Sequence, residues 1–143
     1  MRRVGAIGIC LLFSVPVISG AVAGESLQVV ERVVSEKTVN LGGKGDSLGD
    51  LLVFANAIYD ASNRVEVGKD QGYCVRVTIG KSWECTWTLI LKDGQITSQG
   101  PVNDGGDSLL VITGGAGKYV GAKGSLKVHA RDGNAYDFRY GIL

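Results

Sequence analysis

Apolar and polar positions divide the chain into one continuous apolar stretch at its start and a series of short alternating segments after it. Residues 4–18 are almost wholly apolar, and no later window sustains a 3.6-residue apolar period. Over residues 26–34, Leu27, Val29, Glu31 and Val33 share one face while Gln28, Val30, Arg32 and Val34 share the other, which is the period of a strand. Residues 51–58 form a short apolar run with one amide, Asn56, set inside it, and this reads as a buried strand. Segments 72–79 and 83–91 form the clearest hairpin, turning near Ile79-Gly80-Lys81. A turn centred between Ile79 and Gly80 sets Cys74 opposite Cys85 and Arg76 opposite Trp83. Cross-strand Cβ atoms lie ~4.5–5.5 Å apart, close to what a disulfide requires.

Lys92-Asp93-Gly94 is a hairpin turn signal leading into residues 95–100. Residues 102–107 read as a polar loop, and 108–113 as an apolar strand ended by Gly114-Gly115-Ala116-Gly117. Segments 122–130 and 135–143 form the last pair, turning at Asp132-Gly133-Asn134. The 22 glycines against 2 prolines fit many tight turns, and β-branched and aromatic residues dominate between them. About eight short strands at regular spacing predict an all-β protein, a closed eight-stranded antiparallel β-barrel. An interior of that size is filled by side chains or holds one small ligand.

The apolar start changes the picture of location. Arg2 and Arg3 precede it and the small residues Ala21-Val22-Ala23 follow, the pattern of a secretory signal peptide over residues 1–23. The expected barrel domain is then 24–143, in a secreted or periplasmic protein that keeps no membrane segment. Of 15 basic residues, Arg2 and Arg3 leave with the leader, so 13 face 14 acidic ones, formally −1. These charges are scattered, and neither nucleic acid nor an anionic membrane is an expected partner. Cys10 leaves too, while Cys74 and Cys85 enter a compartment where disulfides form.

Several side chains carry candidate chemistry. Glu31 sits among aliphatic residues, where burial would raise its pKa; it would either stabilise developing positive charge or pair with Arg32, Arg76 or a lysine at the barrel mouth. Asn56 would orient a ligand oxygen or satisfy backbone groups at a strand end. Phe54, Trp83, Trp87, Tyr136, Phe138 and Tyr140 are cavity-wall candidates that would serve equally as core or as a subunit interface. His129, the single histidine, has no cysteine, histidine or carboxylate cluster beside it, so no metal site is expected. Nor does a Gly-x-Ser-x-Gly signature accompany it.

The ordered motifs Ser47-Leu-Gly-Asp-Leu51, Phe54-x-Asn56-x-x-Tyr59, Gly72-x-Cys74-Val75, Gln99-Gly100 and Ile112-Thr113-Gly114-Gly115-x-Gly117-x-x-x-Gly121-x-x-Gly124 resemble the allene oxide cyclase family, with dirigent proteins as more distant relatives. The resemblance implies an eight-stranded barrel, often trimeric, with an apolar cavity in which an unstable unsaturated epoxide is cyclised without a cofactor. It places Glu31, Asn56 and Cys74 at the family's glutamate, asparagine and pocket cysteine, the catalytic candidates. For Cys74 this free thiol stands against the disulfide with Cys85 that the hairpin register allows. Val33 and Val102 stand where the family has a second asparagine and a tyrosine, and the loop near Asn40 is shortened around the family's water-holding proline. Two functions follow: a cofactor-independent cyclase or isomerase acting on an apolar unsaturated substrate, or a non-catalytic secreted barrel that binds an apolar ligand or partner.

Overall fold

The computed structural model describes residues 24–143; residues 1–23, read as a leader, lie outside the described residues. Nine strands follow in chain order: β1 (Glu25–Arg32), β2 (Glu36–Val39), β3 (Leu51–Asp60), β4 (Glu66–Thr78), β5 (Ser82–Leu91), β6 (Gly94–Asn103), β7 (Ser108–Gly117), β8 (Gly124–Arg131) and β9 (Ala135–Ile142). Each pairs antiparallel with its neighbour, and β1 closes the sheet by pairing with both β9 and β3. The strands β1 and β2 lie end to end along β3, opposite 57–60 and 51–54 respectively. They are one barrel position interrupted at Val33-Val34-Ser35, so the barrel has eight. Closure leaves no long unpaired edge, the usual liability of an antiparallel sheet.

The predicted hairpin register is the observed one: Cys74 pairs with Cys85 and Arg76 with Trp83. A disulfide joins the two cysteines across the strands. Several boundaries differ from expectation: β6 runs on to Asn103 within the segment read as a polar loop, and β7 continues through the glycines to Gly117. β4 begins at Glu66 rather than 72, because the polar run pairs with β3 from Glu66, across a register shift, and with β5 from Gly68. The segment read as one strand over 26–34 breaks after Arg32 and resumes as β2, which sequence periodicity did not reveal.

Inward side chains divide the barrel into two halves. The lower half is filled by Ile58, Leu89, Ile96, Leu110 and Leu126, each at most 1% exposed. The turn at 118–123 closes this end: Tyr119 is buried, and Gly115 lies so close beneath it that a Cβ would collide with Tyr119 backbone and side-chain atoms. The glycine-rich motif is therefore a structural plug. In the upper half, Gly72 on β4 faces Trp87 on β5, and a Cβ there would collide with Trp87 itself. That missing side chain lets β4 and β5 approach closely at this pair, and the indole packs against Phe54 and Phe138 to form a floor. Above it the interior is open.

Replacing both cysteines (Cys74→Ser with Cys85→Ser) should lower stability by about 2–3 kcal/mol, since the bridge closes a short loop with a sequence separation of 11. Urea unfolding of the oxidised and double-variant proteins measures this, and equal midpoints would contradict it.

Candidate functional site

The site begins with the interruption in the first strand. Where β1 gives way to β2, the N–H groups of Val34 and Ser35 lose strand partners. The Asn56 Oδ1 accepts both, at 2.9 and 3.1 Å. Its Nδ2 donates to Glu31 Oε1 at 2.7 Å. Asn56 thus satisfies the backbone and orients the carboxyl at once. It lies one diagonal step from Glu31, which pairs with Ile58 on the same strand.

Directly across from Asn56 on β4 stands Asp70, fully buried. No protein N–H or O–H closes a hydrogen bond of ordinary geometry to either Asp70 oxygen. Its carboxyl instead meets that of Glu31, itself 5% exposed. Two carboxylates cannot both ionise in such a place, and one proton must lie between them. Burial first, and then the negative charge of Glu31, push Asp70 up to about 9. Burial also raises Glu31, with the hydrogen bonds from Asn56 and Asp70 pulling the other way. Asp70 therefore stays protonated near neutral pH, and Asn56 holds the Glu31 carboxyl beside it. Asp70 was missed in the sequence because it sits in a polar run that reads as a loop. The signal was its parity: Asp70, Gly72, Cys74 and Arg76 alternate onto one face.

No cation competes for Glu31 among the described residues. Arg32 turns away to Asn63 (2.8 Å) and the Tyr59 ring, and Arg76 is held by Asp46 and Asp104, each at 2.7 Å. The expected pairing with an arginine is absent.

Above the carboxyl pair lies a cavity of about 90 Å³, walled by Phe54, Trp87, Tyr136, Phe138, Leu52 and the Cys74–Cys85 bridge. Trp87 stacks on Phe138 with centroids 5.5 Å apart and meets Phe54 edge-on at 6.1 Å. The cavity shares walls with a wider mouth of about 330 Å³ between the β6–β7 loop, Trp83 and Tyr136. Of the residues singled out from sequence, Glu31, Asn56, Phe54, Trp87, Tyr136 and Phe138 meet at the cavity, and Trp83 lies at its mouth. Tyr140 does not line it; its hydroxyl is buried below, near Trp87 and Ser98, and desolvation keeps it protonated. Cys74 contributes a disulfide wall and no thiol. His129 stands on the outer surface, its Nδ1 2.6 Å from Asp107 Oδ1. Asp50, within the Ser47–Leu51 motif, accepts N–H groups of Leu41 and Ser47 at 2.9 and 2.8 Å and fixes the loop between β2 and β3.

Comparison with known proteins places this geometry. The family model described as allene oxide cyclase matches residues 27–131, most of the described chain. The chain belongs to the allene oxide cyclase family. Three solved structures share the family barrel. A pyocyanin demethylase superposes with a TM-score of 0.74 at 22% identity, covering 83% of this chain and 100% of its own. The exo-specific intermolecular Diels–Alderase AbnU gives 0.63 at 17%, covering 83% and 97%. The pterocarpan synthase dirigent protein PsPTS1 gives 0.66 at 16%, covering 84% and 96%. At these identities the likeness is one of fold.

Two outcomes test the site. Asp70 keeps its proton in the fold to about pH 9 but releases it near 3.8 when unfolded. Native protein therefore holds the extra proton between those values, and stability falls as pH rises through that window, by up to about 1.4 kcal/mol per unit. Denaturation of Asp70→Asn should lack this decline; a parallel pH profile in variant and wild type would show that no proton is stored there. Asn56→Ala strands two backbone N–H groups and one buried carboxyl, and should lose about 2–4 kcal/mol in the same assay.

Proposed function

We propose that the barrel is a cofactor-independent isomerase or cyclase for an apolar, unsaturated small molecule. The observation that carries this reading is the Glu31–Asp70 pair at the foot of an aromatic cavity, without a counter-cation among the described residues. A cavity of about 90 Å³ is smaller than the ~150 Å³ that accommodates benzene. One end of a substrate enters it, and the remainder occupies the mouth. The walls hold that end in a single folded conformation, which supplies much of the rate effect. As a bond rearranges and positive charge grows on the unsaturated system, the Glu31 carboxylate stabilises it in a site of low dielectric. Asn56 keeps Glu31 hydrogen-bonded, and the proton held on Asp70 beside it makes the pair a proton donor or acceptor for double-bond migration.

Kinship supports the chemistry at a coarse level. Structural neighbours of this barrel carry names of a demethylase, of Diels–Alderases and of dirigent proteins. These span small-molecule catalysis and guidance without dictating the reaction here. The leader-like residues 1–23 and the disulfide support export. A second reading, a ligand-binding barrel without chemistry of its own, is favoured by Val33 and Val102 on the cavity wall and by the conversion of Cys74 into a bridge. All three remove polar groups that the family's cyclisation uses.

The deciding assay supplies residues 24–143 with an allene oxide generated in place and resolves the cyclopentenone enantiomers. The cyclase reading expects one enantiomer in excess, with Glu31→Gln slower by about 10²–10³. A racemic product equal to the protein-free control would withdraw that reaction and leave the binding reading.

A further inference from the structure

The proposed site has an electrostatic character that limits what can enter it. Its ionisable lining is acidic: Glu31 at the foot and Glu36 at the rim. Asp104 adds a third carboxylate at the mouth. No lysine, arginine or histidine lines the cavity or the mouth among the described residues. The nearest guanidinium, Arg76, is already shared between Asp46 and Asp104 and lies 4.0 Å over the Trp83 ring. Beneath the floor, Asp70 is fully buried with neither oxygen closing an ordinary hydrogen bond. The walls present the faces and edges of Phe54, Trp87 and Phe138.

We infer that this cavity selects a planar ring carrying positive charge, or a nitrogen that becomes positive on binding, and rejects ligands that lead with an anion. The inference rests on the catalytic reading for its use, though not for its test. A buried carboxylate without a cation is costly, and a cationic ring end returns the missing partner. The same ring is attracted to the indole face of Trp87, an interaction that strengthens when both are desolvated. A carboxylate head gains neither, and meets Glu31 and Glu36 instead. Size adds a second limit. One ring edge fits the cavity, and a fused second ring reaches the wider mouth. The ligand class is therefore a small fused heteroaromatic with its charge at the leading ring. Such a ring also mimics the positive charge that the proposed reaction develops, so it should act as a competitive inhibitor of any substrate.

Three near-isosteric probes test the inference by calorimetric titration: 1-methylquinolinium, neutral 1-methylnaphthalene and anionic 1-naphthoate. The expected result is at least tenfold tighter binding of the cation than of the neutral ring, with the anion weakest. Glu31→Gln should erase the advantage of the cation over the neutral ring. Equal affinity for cation and neutral ring, or tightest binding of the anion, overturns the inference. So does a folded Glu31→Gln protein that keeps the cation preference. The wild-type series decides alone if that variant does not fold. Binding is read without turnover: cation selectivity beside a racemic cyclopentenone would remove the reaction and keep the ligand class.

Discussion

The geometry of this barrel depends on one amide. A strand running unbroken from Glu25 to Val39 would pair along the whole of β3 and would leave Asn56 no backbone group to receive. The interruption at Val33-Val34-Ser35 frees two N–H groups, and Asn56 accepts both. With its oxygen so engaged, its nitrogen has one direction left, toward Glu31. The two roles that sequence reading sets against each other, backbone satisfaction and orientation of chemistry, are therefore one role. Past the break, Val33 and Glu36 line the cavity wall.

The second constraint is the price of two buried carboxyls. Asp70 and Glu31 come from strands that fold together in the first barrel wall, each next to Asn56 in the sheet. Sharing one proton avoids a second buried charge, yet Asp70, Ser98, Trp87 Nε1 and the Tyr140 hydroxyl still lack ordinary partners. A fold selected for stability alone would place aliphatic residues at these four neighbouring positions, as it does immediately below with Leu89, Ile96 and Leu126. Retained polar strain in a core is the pattern expected of a site that trades stability for use.

Much of this was legible in sequence where alternation is clean. The β4–β5 hairpin, its cysteine pairing and the β8–β9 turn follow from period-two patterning and turn residues, because one buried face fixes register. Legibility failed where polar residues occupy strand interiors. The run Glu66-Val67-Gly68-Lys69-Asp70-Gln71 has the composition of a loop, and its ladder with two neighbours overrides that preference. Asp70 vanished from view with it. The break after Arg32 was invisible for the opposite reason: Val33 and Val34 look like strand, and what interrupts them is a side chain 22 residues away from Val34.

Where the chain departs from its family, the departures share a direction. Val33, Val102 and the Cys74–Cys85 bridge make the cavity walls apolar, and polarity withdraws to the foot, to Glu31 and Asn56 with Asp70 buried beneath them. Polar walls can grip a ligand oxygen from several sides, whereas a polar floor addresses only the end that enters first. Specificity in such a cavity then comes from the charge and width of that leading end. The aromatic stack of Trp87 on Phe138, with Phe54 edge-on, sets the width. The carboxyl pair sets the charge, and its shared proton ties that choice to pH. Shape and electrostatics thus act on the same few atoms, and Asn56 bears on both through the strand break it satisfies and the carboxyl it holds.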